Sequence, residues 1–473
     1  MHNVYFVHII LSLVTQKINH MRRLLLAAAL LGLMATGCKT ATETKTAYTT
    51  DTTRVDGHPA WIMQGNIYEV NVRQYTPEGT FKAFTTHLSR LKDMGVHTLW
   101  FMPIQPISKV DRKGVLGSYY AISNYTAINS EYGTPDDWQE LVNTAHDLGF
   151  KVIIDWVPNH TGADHYWLEK YPDFYVRDSA TGKAKYAFDW SDTRDLNYDN
   201  PVLVDTMINA MKFWLRTGID GFRCDVAGEV PNTFWVKAIP ELKKANPGIF
   251  MLAENNDAKM HQAGFDATYP WSEFSIMKKI VKGELPLTSL DSEQAKLSTY
   301  PANALRMYFT SNHDENSWNK ADYATMPGAV HAPFAVLTQT WARSVPLIYS
   351  GQEEPFLDSI SFFYKDTITF GNYERAPFYK LLLNLRATNK ALAANAAYAR
   401  VDAGSPAQVY AYVREKDGAK VLVVLNLSDK AATVTLADAS LVKKPATLLA
   451  SGTVDPEKAS YQLEPWGYAV YAY

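Results

Sequence analysis

Between residues 67 and 349, eight short apolar runs alternate with amphipathic stretches, and that alternation leaves very few folds open to the chain. The runs lie at 67–72, 98–102, 151–156, 221–226, 250–253, 265–268, 306–310 and 346–349. Near-continuous apolar runs suit strands of a parallel sheet buried on both faces. The stretches between them, such as FKAFTTHLSRLKDM (81–94) and DDWQELVNTAHDL (136–148), carry the helical period. The second has a Thr-Pro entry and ends at Gly149, as helix start and stop signals require. Eight such units over roughly 300 residues predict an α/β architecture closed into a (β/α)8 TIM barrel rather than an open sheet. The stretch 158–201 is too long and too aperiodic for an ordinary connection, which predicts a small subdomain inserted after strand 3. From residue 391 the pattern changes to short alternating runs at 409–414, 421–426, 432–436 and 468–473, separated by polar turns such as Glu415-Lys416-Asp417-Gly418. These predict a C-terminal antiparallel β-sandwich over 391–473, following a barrel over 58–390.

The N-terminus reads as an address. Met21-Arg22-Arg23 precedes an apolar run at 24–34, then the small residues Ala35, Thr36 and Gly37, then Cys38. A charged start, a short apolar stretch and a small-residue cleavage site define a secretory signal, and the run is too short to span a bilayer. Cleavage directly before a cysteine resembles the bacterial lipoprotein signal, although Ala35 stands where such signals most often have Leu. The resemblance implies lipid on Cys38 and an extracytoplasmic, membrane-anchored location, periplasmic or at the cell surface. Residues 1–20 read as an over-extended start, and 39–57, rich in Thr, Ala and charge, as a flexible tether. Cys224, the second of two cysteines, falls in a core run, where a free thiol acts as a small hydrophobe. A net charge of -3 argues against nucleic acid as a partner.

Three carboxylates carry the functional signal. Asp225 ends GFRCD, Glu254 sits in MLAEN and Asp314 in FTSNHDEN, each at the C-terminal end of a run that reads as a buried strand. That is the end of an α/β barrel where catalytic groups gather. Clustered carboxylates, without cysteine or nucleotide motifs, point to glycosidic bond cleavage. The chain's 28 Tyr, 20 Phe and 12 Trp would fill a large core, and several could line a sugar-binding groove.

The ordered motifs DWVPNH (155–160), GFRCDV (221–226), AEN (253–255), SNHDEN (311–316) and PLIYSGQE (346–353), with YAISNYTAINSEYGTPDDW (120–138), resemble the α-amylase family of glycoside hydrolases (family 13) across nearly all of 60–473. The resemblance implies a retaining α-glycosidase acting on α-linked glucans or malto-oligosaccharides. Asp225 matches the nucleophile, Glu254 the general acid/base and Asp314 the acid that grips the distorted sugar. Arg223, two residues before Asp225 and so on the same side of a strand, would orient and ionise it. Glu254 must hold a proton for the leaving group, so burial and neighbouring carboxylates should raise its pKa. His160 and His313 match histidines that bind the same sugar, Asp155 a supporting acid, and Tyr120 the aromatic stacked beneath it, with Tyr119 the second candidate. Asn159 and Asp195 match positions that often bind a structural calcium, an ion that takes six to eight oxygens. The sequence departs from the family pattern after the nucleophile: Gly228 and Glu229 stand where many members have Lys-His, on the leaving-group side.

Two other readings stand beside hydrolysis. A transglycosylase or isomerase would share the intermediate and differ only in whether water or a sugar reaches it. A non-catalytic glycan-binding or transport-accessory protein would lack one of the three carboxylates, and none is missing.

Overall fold

The computed structural model describes residues 51–319 and 326–473. The signal region with Cys38, and residues 39–50 of the tether, lie outside them. Among the described residues no helix is long and apolar enough to cross a membrane.

Eight parallel strands form the central sheet: β1 (Ile67–Val70), β2 (Thr98–Phe101), β3 (Lys151–Trp156), β4 (Gly221–Cys224), β5 (Phe250–Ala253), β6 (Ala267–Thr268), β7 (Leu305–Arg306) and β8 (Leu347–Tyr349). Neighbours follow chain order, and β8 pairs with β1. The ring closes between β7 and β8, through a parallel bridge of Arg306 to Ser344 and the Leu347 N–H donating to the Tyr308 carbonyl at 2.8 Å. Outside it lie α1 (Leu88–Met94), α2 (Pro135–Asp147), α3 (Pro201–Leu215), α4 (Asn232–Ala245), α5 (Trp271–Val281), α6 (His331–Thr340) and α7 (Ala376–Thr388). The start of α2 shows why these helices begin where they do. The Asp137 N–H donates to the Thr134 hydroxyl at 3.2 Å, the Thr134 N–H donates to the Asp137 carboxylate at 2.9 Å, and Pro135 fills the first turn.

Several predicted boundaries move. The run 81–94 is two helices, Phe81–Thr85 and α1, because the Thr85 and Thr86 hydroxyls donate to the carbonyls of Phe81 (2.8 Å) and Ala83 (2.7 Å) and compete with helix continuation. The first run stops being strand at Val70, and Val72–Tyr75 is a helical turn. The run 265–268 gives only a two-residue strand. Just before it, Asp266 accepts the Met251 N–H through its side chain at 2.9 Å, doing the work of a ladder bond. The run 306–310 is strand only at its start, and residues 307–310 continue buried without regular pairing.

Between β3 and α3 the chain leaves the barrel and returns through an antiparallel pair, His160–Gly162 with Thr193–Asp195, in which His160 lies opposite Asp195. The C-terminal part contains β9 (Ala397–Val401), β10 (Val409–Lys416), β11 (Ala419–Asn426), β12 (Ala432–Thr435), β13 (Thr447–Ala450), β14 (Ser460–Leu463) and β15 (Tyr468–Ala472). A five-stranded sheet runs β9-β10-β11-β15-β13, and β12 pairs with β14. Alternation divides its side chains between two cores. Ala411, Leu422 and Val424 pack with Val434 and Leu463 of the smaller sheet. Tyr410, Tyr412, Val421 and Val423 pack with Phe334, Leu337 and Trp341 of the barrel. Strands β9, β13 and β14 escape the sequence reading because they are only four or five residues long and bury little: β9 is mostly exposed, β13 mostly half-buried, and β14 buries only Leu463 fully. Buried Arg414 ties the two parts together, donating to the carbonyls of Thr340, Trp341, Ala393 and Ala396.

Candidate active site

Each of the three carboxylates follows a barrel strand: Asp225 directly after β4, Glu254 directly after β5, and Asp314 in the short helix His313–Trp318 beyond β7. The Asn312 side chain starts that helix by accepting the Glu315 N–H at 2.9 Å. All three line one cavity of about 290 Å³ with Tyr120, His160 and His313. Asp155 and Arg223 do not line it. They lie fully buried beneath, side by side in the pairing of β3 with β4.

Arg223 organises the floor. Its Nη1 donates to Asp155 Oδ1 at 3.0 Å and to Asp225 Oδ1 at 2.8 Å, and its Nε donates to the Tyr269 hydroxyl at 3.1 Å. Its Nη2 lies 2.9 Å from Glu254 Oε2, a charge contact without the alignment of a hydrogen bond. The same Glu254 oxygen accepts the Val226 N–H at 2.8 Å. One guanidinium therefore serves three acids, each competing for its charge. Burial pushes Asp225 well above the ordinary carboxylate range, with Glu254 and Asp155 adding to the effect, and Arg223 only partly offsets this. Burial likewise raises Asp155 to about 6 against the pull of Arg223. The expected ionising effect of Arg223 on Asp225 is present and outweighed. Burial therefore works against the charged form of both Asp225 and Asp155.

A second chain of contacts joins Glu69, His313, Tyr120 and Asp155. His313 Nδ1 donates to Glu69 Oε1 at 2.5 Å, and its Nε2 lies 2.7 Å from the Tyr120 hydroxyl, which donates to Asp155 Oδ2 at 3.2 Å. Burial opposes a charge on His313, yet Asp314 and Glu69 raise it to about 9, so the imidazole is protonated at neutral pH. The Tyr120 and His313 rings stack with centroids 5.5 Å apart. Tyr119 is buried away from the cavity under the Arg73 guanidinium, 4.2 Å from its ring centre. His160 is the neutral counterpart of His313, held at about 4 by burial.

Asn159 lies just before, and Asp195 within, the antiparallel pair after β3, and neither lines the cavity. They supply two side chains where calcium takes six to eight oxygens. Among the described residues no three His, Cys, Asp or Glu side chains converge to hold a metal ion. No step below uses calcium. The Gly228 departure has a structural reason: a Cβ there would lie 1.9 Å from Asn255 Nδ2, so Asn255 fills the space that a side chain at 228 would need. Cys224, between Arg223 and Asp225 in β4, is fully buried, and burial pushes its thiol well above the ordinary range.

Sequence reasoning missed Glu69, a carboxylate inside the first apolar run whose charge in that setting was the available signal. It also missed Lys113, Trp190, Asp192, Trp318 and Phe362, which reach the cavity from loops or a short helix and carry no periodic signal.

Residues 47–284 match the family profile of the α-amylase catalytic domain, and residues 400–470 that of the maltogenic amylase C-terminal domain. An α-amylase (MalA) of Haloarcula japonica is 28% identical over 399 residues, 80% of this chain and 57% of its own length. Alpha-amylase 3 of Dictyoglomus thermophilum is 25% identical over 438 residues, 78% of this chain and 85% of its own length. Among solved structures, a maltogenic α-amylase (AmyB) from Thermotoga neapolitana superposes with a TM-score of 0.75 at 29% identity, over 87% of this chain and 96% of that one. An α-amylase from Lactobacillus plantarum gives 0.75 at 28% identity, over 87% and 99%. The profile match covers more than half of the sequence, from before β1 to beyond α5, and takes in Asp225 and Glu254 at the ends of adjacent strands. On that match the chain belongs to the α-amylase family of glycoside hydrolases.

Proposed function

We propose that the protein is a retaining α-glycosidase that hydrolyses α-linked glucans or malto-oligosaccharides through a covalent glycosyl-enzyme intermediate. The observation that carries this reading is the Arg223 guanidinium shared between Asp225 (2.8 Å) and Glu254 (2.9 Å) on the floor of a cavity that Asp314 also lines. In the first step Glu254 gives its proton to the glycosidic oxygen as Asp225 attacks the anomeric carbon. The C–O bond to the leaving sugar breaks, and an ester to Asp225 forms with inverted configuration. In the second step Glu254 takes a proton from water, which attacks the same carbon and restores the α-configuration. Arg223 then steadies the carboxylate that leaves. Asp314, His313 and His160 face the sugar, with donors and acceptors for its hydroxyls, while the stacked rings of Tyr120 and Phe362, 6.2 Å apart and 12° from parallel, add an apolar wall.

Asp225→Asn and Glu254→Gln test the assignment because each keeps size and removes the nucleophile or the proton. Turnover should fall by at least ~10²–10⁴-fold while the fold persists. NMR of the anomeric protons early in the reaction should show α-product. An initial β-product, or near-native turnover in either variant, would defeat the assignment. Chromatography of the same reactions separates hydrolysis from transfer, because a transglycosylase or isomerase would yield longer or rearranged sugars.

The sequence signal at 21–38 supports a further proposal, that lipid on Cys38 holds the barrel at a membrane in an extracytoplasmic space.

A further inference from the structure

The loop joining β2 to α2 lines one side of the cavity through Lys113 and Ser118 and is tied at both of its ends. On one side it meets the segment inserted after β3. The Lys109 and Val110 N–H groups donate to Asp164 Oδ2 at 2.7 and 3.3 Å, Asp111 pairs with Arg194 at 2.6 Å, and Lys113 pairs with Asp192 at 3.2 Å. On the other side it meets the segment after β8. The Leu116 N–H donates to the Phe363 carbonyl at 3.0 Å, and Gly114 lies so close that a Cβ would sit 2.5 Å from Phe363 Cβ. Arg73 clamps the join, donating to the carbonyls of Leu116 and Gly117. Lys113, Asp192, Phe362 and Phe363 all line the cavity. The Asp192 carboxylate is 3% exposed and Lys113 is its cationic partner, so the pair is held in place rather than loosely solvated.

The position of this strap around the ring matters. It runs from the insertion after β3, over the end of β2, to the segment after β8. Glu254 ends β5, which lies opposite β1 in the ring of eight. A proton donor faces the leaving group, so the leaving sugars lie on the β5 side. The strap therefore stands on the other side of the bound ring, where the non-reducing part of an α-glucan would have to continue. The cavity of about 290 Å³ is at or below the small end of the ~300–1,000 Å³ usual for small-molecule sites.

Resting on the glycosidase reading above, we infer that the strap held by Lys113–Asp192 and Asp111–Arg194 makes the site a blind pocket, so that the enzyme acts from the non-reducing end of a glucan and does not cut within it. The test compares maltoheptaose carrying a free non-reducing end with the same chain blocked there by a 4,6-O-ethylidene group, followed by chromatography of products. The wild-type enzyme should shorten the free chain stepwise and cut the blocked one at least about tenfold more slowly, since steric changes of this kind discriminate by ~10–200-fold. Lys113→Met keeps the aliphatic stem and removes the charge, and Asp111→Ala removes the second tie. Both side chains are partly exposed, so the core is not opened. The double variant should raise the blocked-to-free rate ratio by about tenfold, as expected for one steric barrier lost. Internal cleavage of the blocked chain by wild type at a comparable rate would overturn the inference, as would an unchanged ratio in the double variant. Failure of wild type to cut either chain would instead bring down the glucan reading, and the inference with it.

Discussion

His313 is the residue at which the site's electrostatics become measurable. Its pKa of about 9 depends on Asp314 and Glu69, two carboxylates that outweigh the cost of burial. A histidine raised above its ordinary 6.5 stabilises the fold fully below that value, and the contribution is lost as pH climbs through 9. The same proton lets Nδ1 donate to Glu69 and Nε2 donate to Tyr120, which fixes the ring at the cavity wall. Glu69→Gln removes one negative partner, so the His313 pKa should fall. The alkaline limb of kcat/KM should then move down by roughly one pH unit, at the low end of what one adjacent charge produces. A pH profile from 5 to 10 on a small α-glucoside reads this directly. An alkaline limb that does not move would show that the charge on His313 is irrelevant to the rate. The Gly228–Asn255 fit belongs to the same scale: a departure in the sequence is filled by a neighbour that no spacing rule pairs with it.

At the scale of elements, β4 and β5 lead directly into Asp225 and Glu254, and the closeness of the two strands rests on Gly221. A Cβ there would sit 2.1 Å from the Phe250 carbonyl oxygen, a backbone atom that cannot swing aside. Gly221→Ala should therefore push β4 from β5. The expected cost is about 1–3 kcal/mol or more in stability, as overpacking usually gives. The soluble fraction should lose more activity than its melting temperature suggests, because Asp225 and Glu254 ride on the two strands. A variant with unchanged melting temperature and rate would show that the strands have slack. The barrel elements were legible because buried strands and amphipathic helices leave periodic marks, and Asp225, Glu254 and Asp314 were legible because charge at the end of an apolar run is conspicuous. Strand ends were less so, since Asp266 and the hydroxyls of Thr85 and Thr86 replace or break ladders through side chains. Trp190, Asp192, Lys113 and Phe362 were illegible for another reason. They meet through contacts between loops far apart in sequence, and such contacts have no local signature.

At the scale of the whole molecule, the C-terminal sheet shares a core with the barrel through Tyr410, Tyr412 and Val423 and is latched by Arg414. The N-terminal sequence implies a different attachment. If Cys38 carries lipid, Cys38→Ser should move the protein from membrane to soluble fractions, or leave its precursor unprocessed, with kcat unchanged. Stable anchoring takes more than one acyl chain, so mass spectrometry of the mature N-terminus should find a multiply acylated cysteine. An unmodified terminus at another residue would leave only secretion. The other cysteine has a separate consequence. Cys224 is sealed inside β4 between Arg223 and Asp225, with a thiol that burial keeps protonated. An alkylating reagent can reach it only when the barrel opens, so its labelling rate is a clock for how often this strand comes apart from its neighbours.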